Sequence, residues 1–159
     1  MDLNKLWQNF ADTVQNHYLD FDGRVGRPQF WYYVLAYVVV DILVSIVASI
    51  VGLHALTSLF GLALFLPSLG ITARRLHDVG KPTSWVFILA IPLVLELLLG
   101  LLTLASIMLF PLAMFFASLT WLVGLLSLAA MIVIIYFCAQ PGDAGPNQYG
   151  PVPPVFDPK

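Results

Sequence analysis

Leu3, Leu6, Trp7, Phe10, Val14 and Tyr18 recur at three- and four-residue spacing, which stacks them on one face of a helix. Asn4, Lys5, Gln8, Asp12, Gln15 and Asn16 fall on the other sides. The pattern predicts an amphipathic helix over about residues 1–20, either lying in a membrane interface or packed under neighbouring helices. Beyond it the alternation gives way to long apolar runs. Gly23 and Gly26 mark turns, Pro28 suits the first position of a helix, and Trp31, Tyr32 and Tyr33 are rings that a membrane interface favours. Runs at about 29–51, 55–72, 84–106 and 112–137 each approach the ~20 residues that a bilayer core requires. Pro67 falls inside the second run, whose helix is expected to continue to Val79. Gly80 is then a left-handed cap, and Pro82 stops the helix. Residues 139–159 are rich in Pro and Gly and read as a tail with no packed element of its own.

Composition points the same way. The chain is 60% hydrophobic and 10% charged, against about 45–50% and about 25% for soluble domains. That makes it a multi-pass membrane protein, and its 159 residues suit a single membrane domain. A net charge of −2 with few basic residues excludes a nucleic-acid footprint. The single cysteine, Cys138, excludes an internal disulfide framework. The opening residues lack the pattern of a cleaved secretory signal, so the first span is expected to act as its own insertion signal. With four crossings, Lys5, Arg24, Arg27, Arg74, Arg75, Lys81 and Lys159 all fall on one side, which the positive-inside rule makes cytoplasmic. The expected fold is an all-α, four-transmembrane-helix bundle preceded by an amphipathic helix, with both termini in the cytoplasm.

Two polar features stand out against this background. The first is the stretch ITARRLHDVGKPTSW, Ile71 to Trp85. Topology accounts for its positive charges but not for His77 and Asp78. Spacing lets Arg74 pair with Asp78, four residues on, and leaves Arg75 pointing elsewhere and available. The bland reading is a salt-bridged helix end docked on the bundle. The second feature is a pair of acids inside spans, Asp41 and Glu96, each about 16–18 Å from the cytoplasmic start of its helix. Ser45, Ser49 and Gly52 extend the first on one face, and Gly100 and Thr103 extend the second. Such acids are either functional or neutral packing groups, and the two stripes are expected to face each other.

Three segments together resemble a known family. FDGRVGRPQFW at Phe21–Trp31, ARRLHDVGKPTSW at Ala73–Trp85 and PGDAGPNQYGP at Pro141–Pro151 are similar to the signature of the bacterial membrane family catalogued as domain of unknown function 805. The matching positions are Phe21, Gly23, Arg24, Arg27, Phe30 and Trp31; Arg74, Arg75, Leu76, His77 and Asp78; and Asn147, Tyr149 and Gly150. The stretch GKPTSW departs from the family's usual small residue and glycine before the tryptophan. The resemblance implies a small bacterial inner-membrane protein with its signature residues on the cytoplasmic side. It carries over no catalytic role. It also implies that the tail is ordered, folded back near the Arg-His-Asp turn.

On these residues the expected function is binding. Arg24, Arg27, Arg74 and Arg75 offer planar forks suited to phosphate, and His77, Asp78 and Asn147 would complete the site. Its ligand would be an anionic lipid headgroup or a small phosphate. Asp20, Asp22, Asp78 and Asp143 could instead neutralise the arginines internally. The alternative is a proton or cation transporter or channel component built on Asp41 and Glu96. An enzyme is not expected, because the chain has no nucleophile motif, metal-ligand spacing or nucleotide loop. No cofactor or metal is called for. Membrane lipid is the expected partner, nucleic acid is not, and a homo-oligomer is compatible with the sequence.

Overall fold

The structure is a computed structural model and describes residues 3–154. These form five α-helices: α1 (Leu3–Asn16), α2 (Arg27–Val51), α3 (Ala55–Asp78), α4 (Phe87–Ala105) and α5 (Phe110–Ala139), with a 3-10 turn at Thr83–Val86 leading into α4. Four segments are long and apolar enough to cross a membrane: Arg27–Val51, Ala55–Asp78, Thr83–Ala105 and Phe110–Ala139. Their large apolar side chains are mostly exposed, as with Ile50, Leu59 and Leu126. That surface would be intolerable in water and is what hydrocarbon requires. The protein is thus an all-α membrane protein with four spans. The observed helices extend the expected spans by a few residues at several ends, and α3 ends at Asp78, one residue short of the expected helix end at Val79.

Contacts divide the chain into two compact units. One comprises residues up to 83 together with those from 138 onward; the other is residues 84–137. In the first unit α1 packs on α2 and α3. Its inward side is Leu6 with two polar residues, Asn9 and Thr13, while Leu3 and Trp7 stay exposed. Asn9 donates its amide to the Gln29 carbonyl at the start of α2, 2.9 Å away. Trp7 stacks on Phe10, Phe10 on Tyr33 of α2, and Tyr37 on Phe60 of α3, each at 5.6–5.9 Å between ring centres. Tyr33 and Ser68 share a hydroxyl hydrogen bond of 2.8 Å between α2 and α3.

The end of α3 is the part of this unit that matters most. Every residue from Gly70 to Asp78 is buried. A helix buried on all sides is normally apolar throughout, yet this one carries two arginines, a histidine and an aspartate. It ends as the sequence anticipates. Gly80 takes φ +70°, which a side chain would resist, and its N–H donates to the His77 carbonyl at 3.1 Å. Lys81 N–H reaches back to the Leu76 carbonyl at 2.9 Å. This pair of bonds is the Schellman arrangement, which satisfies carbonyls left without helical partners.

In the second unit α4 and α5 are joined by a short connection around Ser106–Leu109. Trp85 meets Phe137 edge to face at 5.0 Å. Glu96 is the only Asp, Glu, Lys, Arg or His in residues 84–137. Its carboxylate accepts a hydrogen bond from the Ser127 hydroxyl of α5.

Candidate functional site

Asp78 is the hub of the site. One of its oxygens accepts two bonds from Arg24, from Nε at 3.1 Å and Nη2 at 2.9 Å. The other accepts from Arg75 Nη1. The side chains are almost wholly buried, at 1% exposure for Arg24, 0% for Arg75 and 5% for Asp78. Two guanidiniums thus share one carboxylate away from bulk water. Such a group is tolerable only if its remaining donors are satisfied, and backbone carbonyls of the tail do that. Arg24 also donates to the carbonyls of Gly145 at 2.8 Å, Gly150 at 3.2 Å and Asp143 at 2.9 Å. Its five N–H donors, the full guanidinium complement, are all used. Arg75 donates to the carbonyls of Cys138, at 3.0 Å, and Gln140.

The expected pairing within α3 is therefore corrected. Arg74 does not pair with Asp78; Arg75, three residues before it, does. The neighbouring chain explains the choice. Arg74 faces the connection after α1, where its Nη1 lies 3.7 Å from Asp20, while the face carrying Arg75 and Asp78 meets the tail and Arg24. Nor is Arg75 left available. Arg74 is the less satisfied cation, since its buried Nε has no partner among the described residues.

His77 is held on three sides. Its Nδ1 is 2.9 Å from the Gly23 carbonyl and its Nε2 is 2.7 Å from the Thr83 hydroxyl. A carbonyl can only accept, so Nδ1 carries the proton, and Nε2 accepts from Thr83 in the neutral ring. Tyr149 covers the ring face at 3.9 Å with an interplanar angle of 1°. Asn147 pins the tail by donating its amide to the His77 carbonyl at 2.9 Å and to Asp143 at 2.8 Å. Its own carbonyl oxygen caps Tyr149 N–H at 2.9 Å. Asn147 and Gly150 close a tight turn through two backbone bonds of 3.0 Å.

Of the residues named from the sequence, Arg24, Arg75, His77, Asp78 and Asn147 are thus brought together. Arg27 lies at the edge of the cluster, exposed, with one long bond of 3.4 Å to the Ala139 carbonyl. It lines a cleft of about 370 Å³ with Asp78, Gly142, Asp143 and Pro153. Arg74 sits apart, toward Asp20. Burial opposes ionisation of Asp20, but hydrogen bonds from His17 and from Asp22 N–H, with the Arg74 charge, outweigh it and hold the carboxyl below its ordinary value. The intramembrane acids belong to different units, Asp41 to the first and Glu96 to the second.

The sequence reading missed three members of these sites. Thr83 lies in the departure from the family's usual stretch, and its hydroxyl serves His77. Gly142 is pressed so closely on Asp78 that an added Cβ would collide with a carboxylate oxygen. The third is Ser127, the partner of Glu96. Only the glycine left a trace in the sequence, inside the Pro-Gly-Asp run of the tail.

The family described as "Protein of unknown function (DUF805)" matches residues 18–151, which takes in all three motifs. Inner membrane protein YhaI of Escherichia coli K12 is 27% identical over 140 residues, covering 87% of this chain and 89% of its own. Inner membrane protein YhaH of the same organism is 24% identical over 146 residues, covering 88% and 92%. No solved structure matches. The two relatives place the four-span chain in the inner membrane, and the chain belongs to the DUF805 family of proteins of unknown function.

Proposed function

We propose that this inner-membrane protein is a binding protein, not an enzyme, and that it takes a phosphate-bearing anion at Arg27, in the cleft between the start of α2 and the tail. The proposal places both termini and this cleft in the cytoplasm, because the connections at 52–54 and 106–109 contain no Lys or Arg. The observation that carries the reading is the uneven charge under the cleft. Among the described residues, Arg24, Arg27 and Arg75 stand against Asp78 and Asp143, three positive charges against two negative. Arg24 and Arg75 are consumed internally, so they supply field and shape. Arg27 supplies the contact, with most of its planar fork unused among the described residues. A binding role also fits His77, whose two nitrogens are occupied and whose ring is covered, leaving no free base.

The test compares wild type with Arg27→Gln, purified in neutral detergent, for retention of added phosphatidylglycerol and of inorganic phosphate. Loss of one charged contact lowers affinity about tenfold. Selective loss of the lipid in the variant identifies a headgroup site, and selective loss of phosphate a soluble ligand. Equal retention of both by the two proteins rejects the proposal.

A further inference from the structure

Between α4 and α5 lies a groove of about 480 Å³, lined by Glu96, Gly100 and Thr103 from one helix and Thr120, Trp121 and Gly124 from the other. Its volume is that of a site for a small organic molecule. It begins at the centre of α4, where Glu96 stands nine residues from either end, and extends about 10 Å toward the α4–α5 connection. The glycines keep it open. A Cβ added at Gly100 or Gly124 meets nothing within 4 Å.

The chemistry of the walls is one-sided. Glu96 has no Lys, Arg or His anywhere in residues 84–137 to balance it. Ser127 gives its carboxylate one hydrogen bond but no charge. The hydroxyls of Thr103 and Thr120 donate to carbonyls of their own helices, at 2.8 and 3.0 Å, and so present only lone pairs outward. Trp121, 73% exposed, adds an aromatic ring at the rim. A carboxyl at hydrocarbon depth must be neutralised, by a proton or by a cation brought to it. Acceptors, an indole face and apolar walls around one acid complement a compact hydrophobic cation.

We infer that the α4–α5 groove binds a hydrophobic organic monocation, with Glu96 as its counter-ion and Trp121 against its flank. The cation's charge balances that of the Glu96 carboxylate. The groove is lined by residues of 84–137 alone, and the inference does not depend on the phosphate proposal.

The full chain in lipid nanodiscs, probed with tetraphenylphosphonium, tests this, with empty nanodiscs as background and tetraphenylborate as a probe of the same shape and opposite charge. Wild type should bind the cation saturably and the anion no more than background. Glu96→Gln keeps an oxygen for Ser127 and should lower cation affinity about tenfold or more. Gly100→Leu keeps the acid and fills the groove, and should weaken binding similarly. Cation uptake by wild type no greater than empty nanodiscs overturns the inference, whatever the variants do. So does equal binding of both probes, or undiminished binding by either variant.

Discussion

One carboxylate serves two guanidiniums at Asp78, and that count sets what each substitution does. Asp78→Asn keeps shape and one acceptor but leaves two buried cations facing each other. Breaking a buried pair this way typically costs about 3–5 kcal/mol, so the variant should lose most of its thermal stability in detergent. An unfolding midpoint within a few degrees of wild type would contradict the shared-carboxylate reading. Arg24→Lys keeps the charge and offers three donors in place of five. It should release the tail without unfolding the helices, seen as about tenfold faster amide exchange over residues 143–150; unchanged exchange would mean that the fork is dispensable. Much of this site was legible. The motif residues themselves marked Arg24, Arg75, His77, Asp78 and Asn147. The pairing of Arg75 was not, because helix spacing permits both i+3 and i+4 partners and only the approach of Arg24 and the tail decides between them. Thr83 and Ser127 were invisible for a simpler reason: a lone hydroxyl carries no pattern.

At the level of elements, the connection after α1 is joined to α3 through charge. Asp20 receives a hydrogen bond from His17 at 2.8 Å and lies 3.7 Å from Arg74. Its folded pKa is lowered, so its contribution is fully present above the unfolded value of about 3.9 and is lost as pH falls through the lower folded value. The link should therefore weaken in acid, below about pH 4. Melting of wild type and Asp20→Asn from pH 6 to pH 3 checks the sign: the gap between them should close in acid, and a gap that widens refutes it. The carboxylate is partly exposed, so the effect is small. The ends of α2 and α3 were readable, since Pro28 and Gly80 mark them by backbone chemistry alone. The inward face of α1 was not. Asn9 and Thr13 are polar, and only the Gln29 carbonyl and the local packing make them suitable contacts.

For the whole molecule, the four spans were legible because hydrocarbon imposes length and apolarity on every crossing. The division into two units was not, since every span of either unit is apolar enough to cross the membrane. If the spans run as proposed, Leu53→Cys should react with a membrane-impermeant thiol reagent applied outside the inner membrane, and Asp22→Cys should react only from the cytoplasm; Cys138 is buried and stays silent. Labelling of both from one side would invalidate the topology. The tail that clasps Arg24 and Asp78 is also the segment made after all four spans. During synthesis, then, the polar end of α3 enters the bilayer's edge uncovered and waits through two further helices for its lid. A chain that stops before Gln140 keeps the pairs of Arg24 and Arg75 with Asp78 but lacks the carbonyls of Gln140, Asp143, Gly145 and Gly150 that take up their remaining donors.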